Sequence, residues 1–326
     1  MDSKKELEEQ QPIELPFKNL FLNAGYIDGG NKFWMYLMGI SFTLFFYLIV
    51  GNLLVLPLFN RALEVGISIN EITRNVYLLF DAERLQIDKN IILLIQFGLF
   101  VSAAIGFWIG IKLIHKKKFI SLLTAFEKFR FKHFFFSFTV WSIVLIINMV
   151  ISLITNPQDM HLQFDLPRFL LLFLLCIVFL PIQTLMEEVF FRSYLLQGLS
   201  QVFKNGIVPL IITSLFFAVA HMSNPEISAY GTGLMFAYYL LFAIFLGVIT
   251  LMSEGLELAF GLHLANNLLS ALMVTSKHSV LKTDAIFFVT TEDAASELVL
   301  AICALVAVFV LFTIKFKWKD FSLLIK

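Results

Sequence analysis

Long apolar runs separated by short polar connections organise this 326-residue chain. Eight runs come near the roughly 20 residues that an α-helix needs to cross a hydrocarbon core. They lie at about 33–57, 90–114, 134–155, 167–203, 206–222, 230–252, 256–274 and 296–316. The pattern predicts an all-α fold: a polytopic helical membrane protein with about eight transmembrane helices. The fourth run amounts to about 55 Å of helix. It is expected to tilt, to kink near Gly198 or to run into the interface. The connection 58–89 is amphipathic and is expected to be partly helical at the surface.

Composition agrees with that picture. Hydrophobic residues make up 59% of the chain, 38 residues are Phe, and the mean hydropathy is +0.85. A soluble domain is only about 45–50% apolar. Net charge is zero, so the sequence offers no electrostatic case for nucleic acid. Cys176 and Cys303 stand singly in apolar runs and read as small core residues. The polar, acidic opening "MDSKKELEEQQPIE" predicts no cleavable signal peptide.

Basic residues set the expected orientation. The connection after the second run holds Lys116, Lys117, Lys118, Lys128, Arg130 and Lys132, against the single acid Glu127. The tail holds Lys315, Lys317, Lys319 and Lys326. By the positive-inside rule both termini are expected in the cytoplasm. Arg61, Arg74, Arg84 and Lys89 on the opposite connection weaken the bias slightly.

Against this apolar background the polar groups inside the runs form a short list. They are Glu187, Glu188 and Arg192 in the fourth, His221 in the fifth, and His263, Asn266 and Asn267 in the seventh. An ionisable side chain within a span costs a few kcal/mol, so each needs a partner or a task. Glu188 and Arg192 are four apart, with the acid N-terminal, and predict an intrahelical ion pair. Glu187 then points about 100° away and shares its face with Tyr194. Asn266, Gln96 and Asn148 read as interhelical hydrogen bonders, and Glu254 and Glu257 as interfacial charges. His115, His133, His161 and His278 fall near connections and carry no assigned chemistry.

The fifth run follows the fourth through the turn "KNG" at 204–206. Glu187 lies 17 residues before Lys204 and His221 lies 17 after it, so an antiparallel hairpin sets them at one depth. His263 and Asn267 share a face of the seventh run. Packed together, these residues would form a Glu–His–His–Asn cluster. Such a cluster suits hydrolysis: Glu187 takes a proton from water, the histidines hold it or steady the tetrahedral intermediate, and Asn267 donates to the oxyanion. The same groups read equally as ligands of one divalent metal such as zinc, with Glu187, His221 and His263 as candidates. No HExxH signature is present.

"EEVFFR" (187–192), "FAVAH" (217–221) and "HLANN" (263–267) resemble the EExxxR, FxxxH and HxxxN motifs of the CPBP family, also called Abi or type II CAAX-protease-like. The resemblance covers roughly residues 165–275. It implies that Glu187 is the catalytic base, that Glu188 and Arg192 support the helix, and that His221, His263 and Asn267 line a cavity opening to the cytoplasm. It also implies a choice between a metalloprotease and a metal-free glutamate mechanism. The expected organisation is a polar cytoplasmic segment (1–32), N-terminal transmembrane helices (33–160), a catalytic core (161–275), and a last loop and helix (276–326). The leading expectation is an intramembrane endopeptidase, with membrane lipid and a membrane-anchored peptide or protein as partners, a prenylated CAAX-type substrate being the family theme. Two alternatives stand beside it: a non-proteolytic immunity or scaffold protein of that family, and a proton-coupled transporter. The transporter lacks evident repeats.

Overall fold

The computed structural model describes residues 15–291 and 293–325; the first fourteen residues of the polar N-terminal segment and Lys326 lie outside it. The described chain is mostly helical. A short helix α1 (Leu20–Ile27) precedes α2 (Phe33–Glu64), α3 (Lys89–His115), α4 (Phe131–Thr155) and α5 (Leu166–Phe203). There follow α6 (Ile207–Ala220), α7 (Pro225–Tyr230), α8 (Thr232–Ser253), α9 (Glu257–Met273) and α10 (Ala294–Phe316).

Six of these helices are long and apolar enough to cross a membrane: α2, α3, α4, α5, α8 and α10. The predicted fifth and seventh runs are shorter helices, α6 with 14 residues and α9 with 17. Helix α6 covers only about 21 Å, less than a hydrocarbon core of about 30 Å. It stops at His221 because the chain turns through 222–224 into Pro225, which opens α7. Side-chain caps start three of the longer helices, α3, α5 and α10. Asp88 accepts from the Asn90 amide, Asp165 from Arg168, and Asp293 from Ala295 and Ser296.

The long helix α5 keeps α-helical hydrogen bonding through Gly198, over Leu196–Phe203. Its irregularities come earlier: Pro181 lies within the helix, and a π turn runs over Val189–Leu195. Helix α2 carries a similar π turn at Phe46–Val50, followed by 3₁₀ geometry over Gly51–Val55. The connection 65–88 is partly helical, as its amphipathic pattern predicts, at Ile69–Arg74 and Ala82–Leu85.

Helix α9 is the centre of the bundle. It packs on α4, α5 and α8, and most of its residues are buried. Gly261 has no side chain to place there, since the Phe134 carbonyl and the Ser137 hydroxyl of α4 occupy that space. Small residues let membrane helices approach in this way. Glu257, expected at the interface, is instead fully buried. Arg130 grips its two oxygens through Nε at 3.0 Å and Nη2 at 2.7 Å, a two-pronged pairing that a lysine could not make. Glu254 accepts from the Leu20 amide at 2.7 Å, tying α1 to the turn between α8 and α9.

The connections sort onto two faces. On one, α1 meets the C-terminal segment: Lys18 pairs with Asp320, and Asn19 donates to the Leu323 carbonyl at 3.0 Å. On the other, β1 (Met160–Leu162), β2 (Val274–Ser276) and β3 (Phe287–Val289) form a small sheet in the order β1-β3-β2. Lys89 and Asn90 at the start of α3 meet Asp284 on that second face, and Tyr77 meets Asn224.

Lys117, just beyond α3, is buried with its amine 3.4 Å from both the Gly25 carbonyl and the Tyr36 hydroxyl. Burial pushes its pKa from the ordinary 10.5 down to about 8, against the opposing pull of Asp28. Between those two values the unfolded chain holds the extra proton, so stability rises with pH across that window. Below it both states are protonated and the penalty is constant. The melting temperature in detergent is therefore expected to climb between pH 8 and 10.5, and Lys117→Met to flatten that climb. A climb untouched by the substitution would assign it to other groups.

Candidate active site

Glu187 and Glu188 are the last two residues of α5 before its π turn. Glu188 is completely buried. Its Oε1 accepts from Arg192 Nη1 at 3.0 Å, the predicted pair, and from His263 Nδ1 at 2.6 Å. An ionised carboxylate only accepts, so Nδ1 carries the proton and Nε2 is fixed as the other nitrogen. That Nε2 faces Glu187 Oε2 at 3.8 Å. The acid pair thus divides: one carboxylate orients the histidine from behind, and the other meets its front.

Glu187 receives a short hydrogen bond from Gln183 Nε2. The Gln183 oxygen accepts from Asn267 Nδ2 at 3.2 Å and from Thr184 Oγ1 at 3.2 Å. The Asn267 oxygen accepts from Asn266 at 3.3 Å, and the Asn266 oxygen from the Trp141 indole at 3.1 Å. An amide relay therefore runs from α4 through α9 to Glu187. Asn266 makes the interhelical bond expected of it, and Asn148 makes another, to Glu297 at 3.2 Å.

His221 closes the C-terminal end of α6. Its Nδ1 bonds the Phe217 carbonyl at 2.7 Å, so it donates there and Nε2 remains free. The ring lies between Phe217 and Tyr239, with centroids at 4.3 and 4.5 Å. Phe217 is the common wall: the Arg192 guanidinium sits 4.0 Å above its ring, and His263 meets it at 6.1 Å. His221 is within electrostatic reach of Glu187, His263 and Arg192 but hydrogen-bonds none of them.

The sequence therefore named residues that the fold brings together, with two differences. Tyr194 does not share a face with Glu187. It packs into a separate cluster, its hydroxyl 2.8 Å from His115 Nε2 and 3.1 Å from the Tyr36 carbonyl. The π turn between them winds more slowly per residue than an α-helix, which carries Tyr194 off the predicted face. Gln183 was missed, although it stands four residues before Glu187, the spacing that pairs side chains along a helix. Glu226, Asn224 and Tyr239 were missed as well. Tyr239 donates a short hydrogen bond to Glu226, and Asn224 donates to the Tyr239 hydroxyl at 2.9 Å.

The donor set does not fit a resident metal. Among the described residues no three His, Cys, Asp or Glu side chains converge as ligands.

Residues 167–269 match the family model described as type II CAAX prenyl endopeptidase, Rce1-like. A CAAX-protease-like segment thus covers about a third of the chain and includes every residue of the cluster. The chain is also 28% identical over 258 residues to YyaK, an uncharacterized protein of Bacillus subtilis (strain 168), spanning 78% of this chain and 82% of that one. No solved structure matches the chain.

Proposed function

We propose that this protein is an intramembrane endopeptidase that hydrolyses a peptide bond of a membrane-associated substrate with a glutamate-activated water. Glu187 is the general base. A water held between its carboxylate and His263 Nε2 loses a proton to Glu187, and the resulting hydroxide attacks the carbonyl carbon. The tetrahedral oxyanion is stabilised by a hydrogen bond from the Asn267 amide, which has an N–H beyond the one given to Gln183; His221 Nε2, unprotonated while Nδ1 donates to Phe217, lines the site as an acceptor. Glu187 then returns the proton to the leaving nitrogen as the C–N bond breaks. Glu188 and Arg192 hold His263 and the helix in place, and Gln183 aims Glu187.

The observation that carries this reading is the opposition of His263 Nε2 and Glu187 Oε2 at 3.8 Å, with the histidine tautomer fixed by Glu188. The match to the CAAX-protease model supports it and favours a CAAX-type, prenylated substrate. The chemistry is assigned to the core over 161–275.

The test is cleavage of a library of lipid-anchored and soluble peptides by the purified protein, with and without a strong chelator. Turnover of anchored peptides that survives the chelator is expected. Loss of turnover on chelation, restored by zinc, would replace bare-glutamate chemistry with a metal mechanism. Failure to cut any peptide would move the assignment to an immunity or scaffold protein. Gln183→Leu is expected to lower kcat by roughly ten- to a hundredfold, since a base displaced by about 1 Å loses that much. KM should stay unchanged. A matching rise in KM would make Gln183 a substrate contact instead.

A further inference from the structure

Among the described residues six buried side-chain atoms find no hydrogen-bonding partner in the protein, and four of the six fall within one ten-residue stretch of α5. They are Glu188 Oε2, Arg192 Nη2, Ser193 Oγ and Gln197 Oε1. None of these four residues is more than 2% exposed. A buried donor or acceptor left unpaired is costly, so folded chains satisfy such groups with protein or with ordered water. Four of them on neighbouring turns of one helix call for a common partner.

The π turn lines these groups up. Its hydrogen bonds run from i to i+5, so Arg192 and Ser193, four and five residues after Glu188, flank one line along the helix. Gln197 lies four beyond Ser193, on the same side, where α-helical winding resumes. The stripe starts at the acid that orients His263, whose Nε2 faces Glu187. It ends at Gln197, whose Nε2 bonds the carbonyls of Phe21 and of the half-buried Ser121. Nine residues of helix advance about 13 Å, which about four or five waters span at ~2.8 Å each. The site at the inner end is nearly closed, with the Glu187 and His263 side chains 11% and 5% exposed.

We propose that this stripe binds a file of ordered waters, which supplies water to Glu187 from the face that carries α1. This rests on the peptidase reading, in which each turnover consumes one water. Arg192 Nη2 donates to the file, the Glu188 and Gln197 oxygens accept from it, and the Ser193 hydroxyl does both. Each group thereby gains the partner that the protein does not supply. Ser193 stands midway along the file, so its continuity depends most on that hydroxyl.

The first test needs no turnover. The full chain in detergent is irradiated with X-rays in water enriched in heavy oxygen, which hydroxylates side chains that touch internal water. Leu196, between Ser193 and Gln197, is compared with Leu172 and Leu180, equally buried on the same helix. Leu196 is expected to take up heavy oxygen severalfold faster. Equal labelling of the three leucines overturns the proposal. Ser193→Val and Ser193→Thr then test delivery, since the two are alike in shape and only the second keeps a hydroxyl. The kcat of Ser193→Val is expected about tenfold below that of Ser193→Thr, the scale of one hydrogen bond, with KM unchanged. Equal kcat in two folded variants overturns delivery along the stripe. Fast labelling of Leu196 in a protein whose wild type cuts no peptide keeps the water file and removes the peptidase reading.

Discussion

Glu187→Gln is expected to reduce peptide cleavage by about 10²–10⁴-fold, the contribution of a positioned general base. The substitution preserves size and can still bond Gln183, so the fold and the site geometry should survive. What it removes is the ability to accept a proton. The neighbouring Glu188 cannot substitute, because it is completely buried and its Oε1 is already engaged by Arg192 and His263. Cleavage by purified wild type and variant checks this, beside melting curves for both. An unchanged rate from a folded variant would move the base elsewhere.

Arg192→Met should be the most destabilising single change in the bundle. Arg192 and Glu188 are both almost wholly shielded, at 2% and 0% side-chain exposure. Removing one partner of a buried pair costs about 3–5 kcal/mol, because the other charge is left without compensation. The guanidinium also covers Phe217 at 4.0 Å, so the loss reaches the wall shared by both histidines. Removing both charges, as Glu188→Gln with Arg192→Met, should recover much of the stability but not the activity, since a neutral glutamine holds His263 less firmly. Yields and detergent melting temperatures of the single and double variants check this. A double variant no more stable than the single one would show that shape, not charge, sets the cost.

The parts of this site that sequence makes legible are those governed by local spacing. Four-residue spacing forecast the Glu188–Arg192 pair, and symmetry about "KNG" forecast that α6 brings His221 toward Glu187. Apolar run length also forecast the bundle. Six helices reach full crossing length, while the fifth and seventh runs, placed at 206–222 and 256–274, fold as shorter helices of 14 and 17 residues. Gln183 carries no charge to single it out in the sequence, and its bond to Glu187 appears only in the fold. Glu226 looked like an ordinary loop acid; only the third dimension brings it to Tyr239. The termini were expected in the cytoplasm together with the mouth of the site. The fold puts α1 and the C-terminal segment on one face and the loop that follows His221 on the other.

The π turn after Glu188 also makes the spacing along α5 a counted quantity. A π turn takes one more residue than an α turn to cover nearly the same arc, so deleting one residue between 189 and 195 and closing the stretch to α-helical winding would leave the helix beyond it almost unrotated. Gln197 would then keep its approach to the carbonyls of Phe21 and Ser121. A second deletion finds no such slack and would turn the helix end that α1 grips by about 100°. Chains that share this arrangement should therefore differ in length by no more than one residue between Glu188 and Leu196.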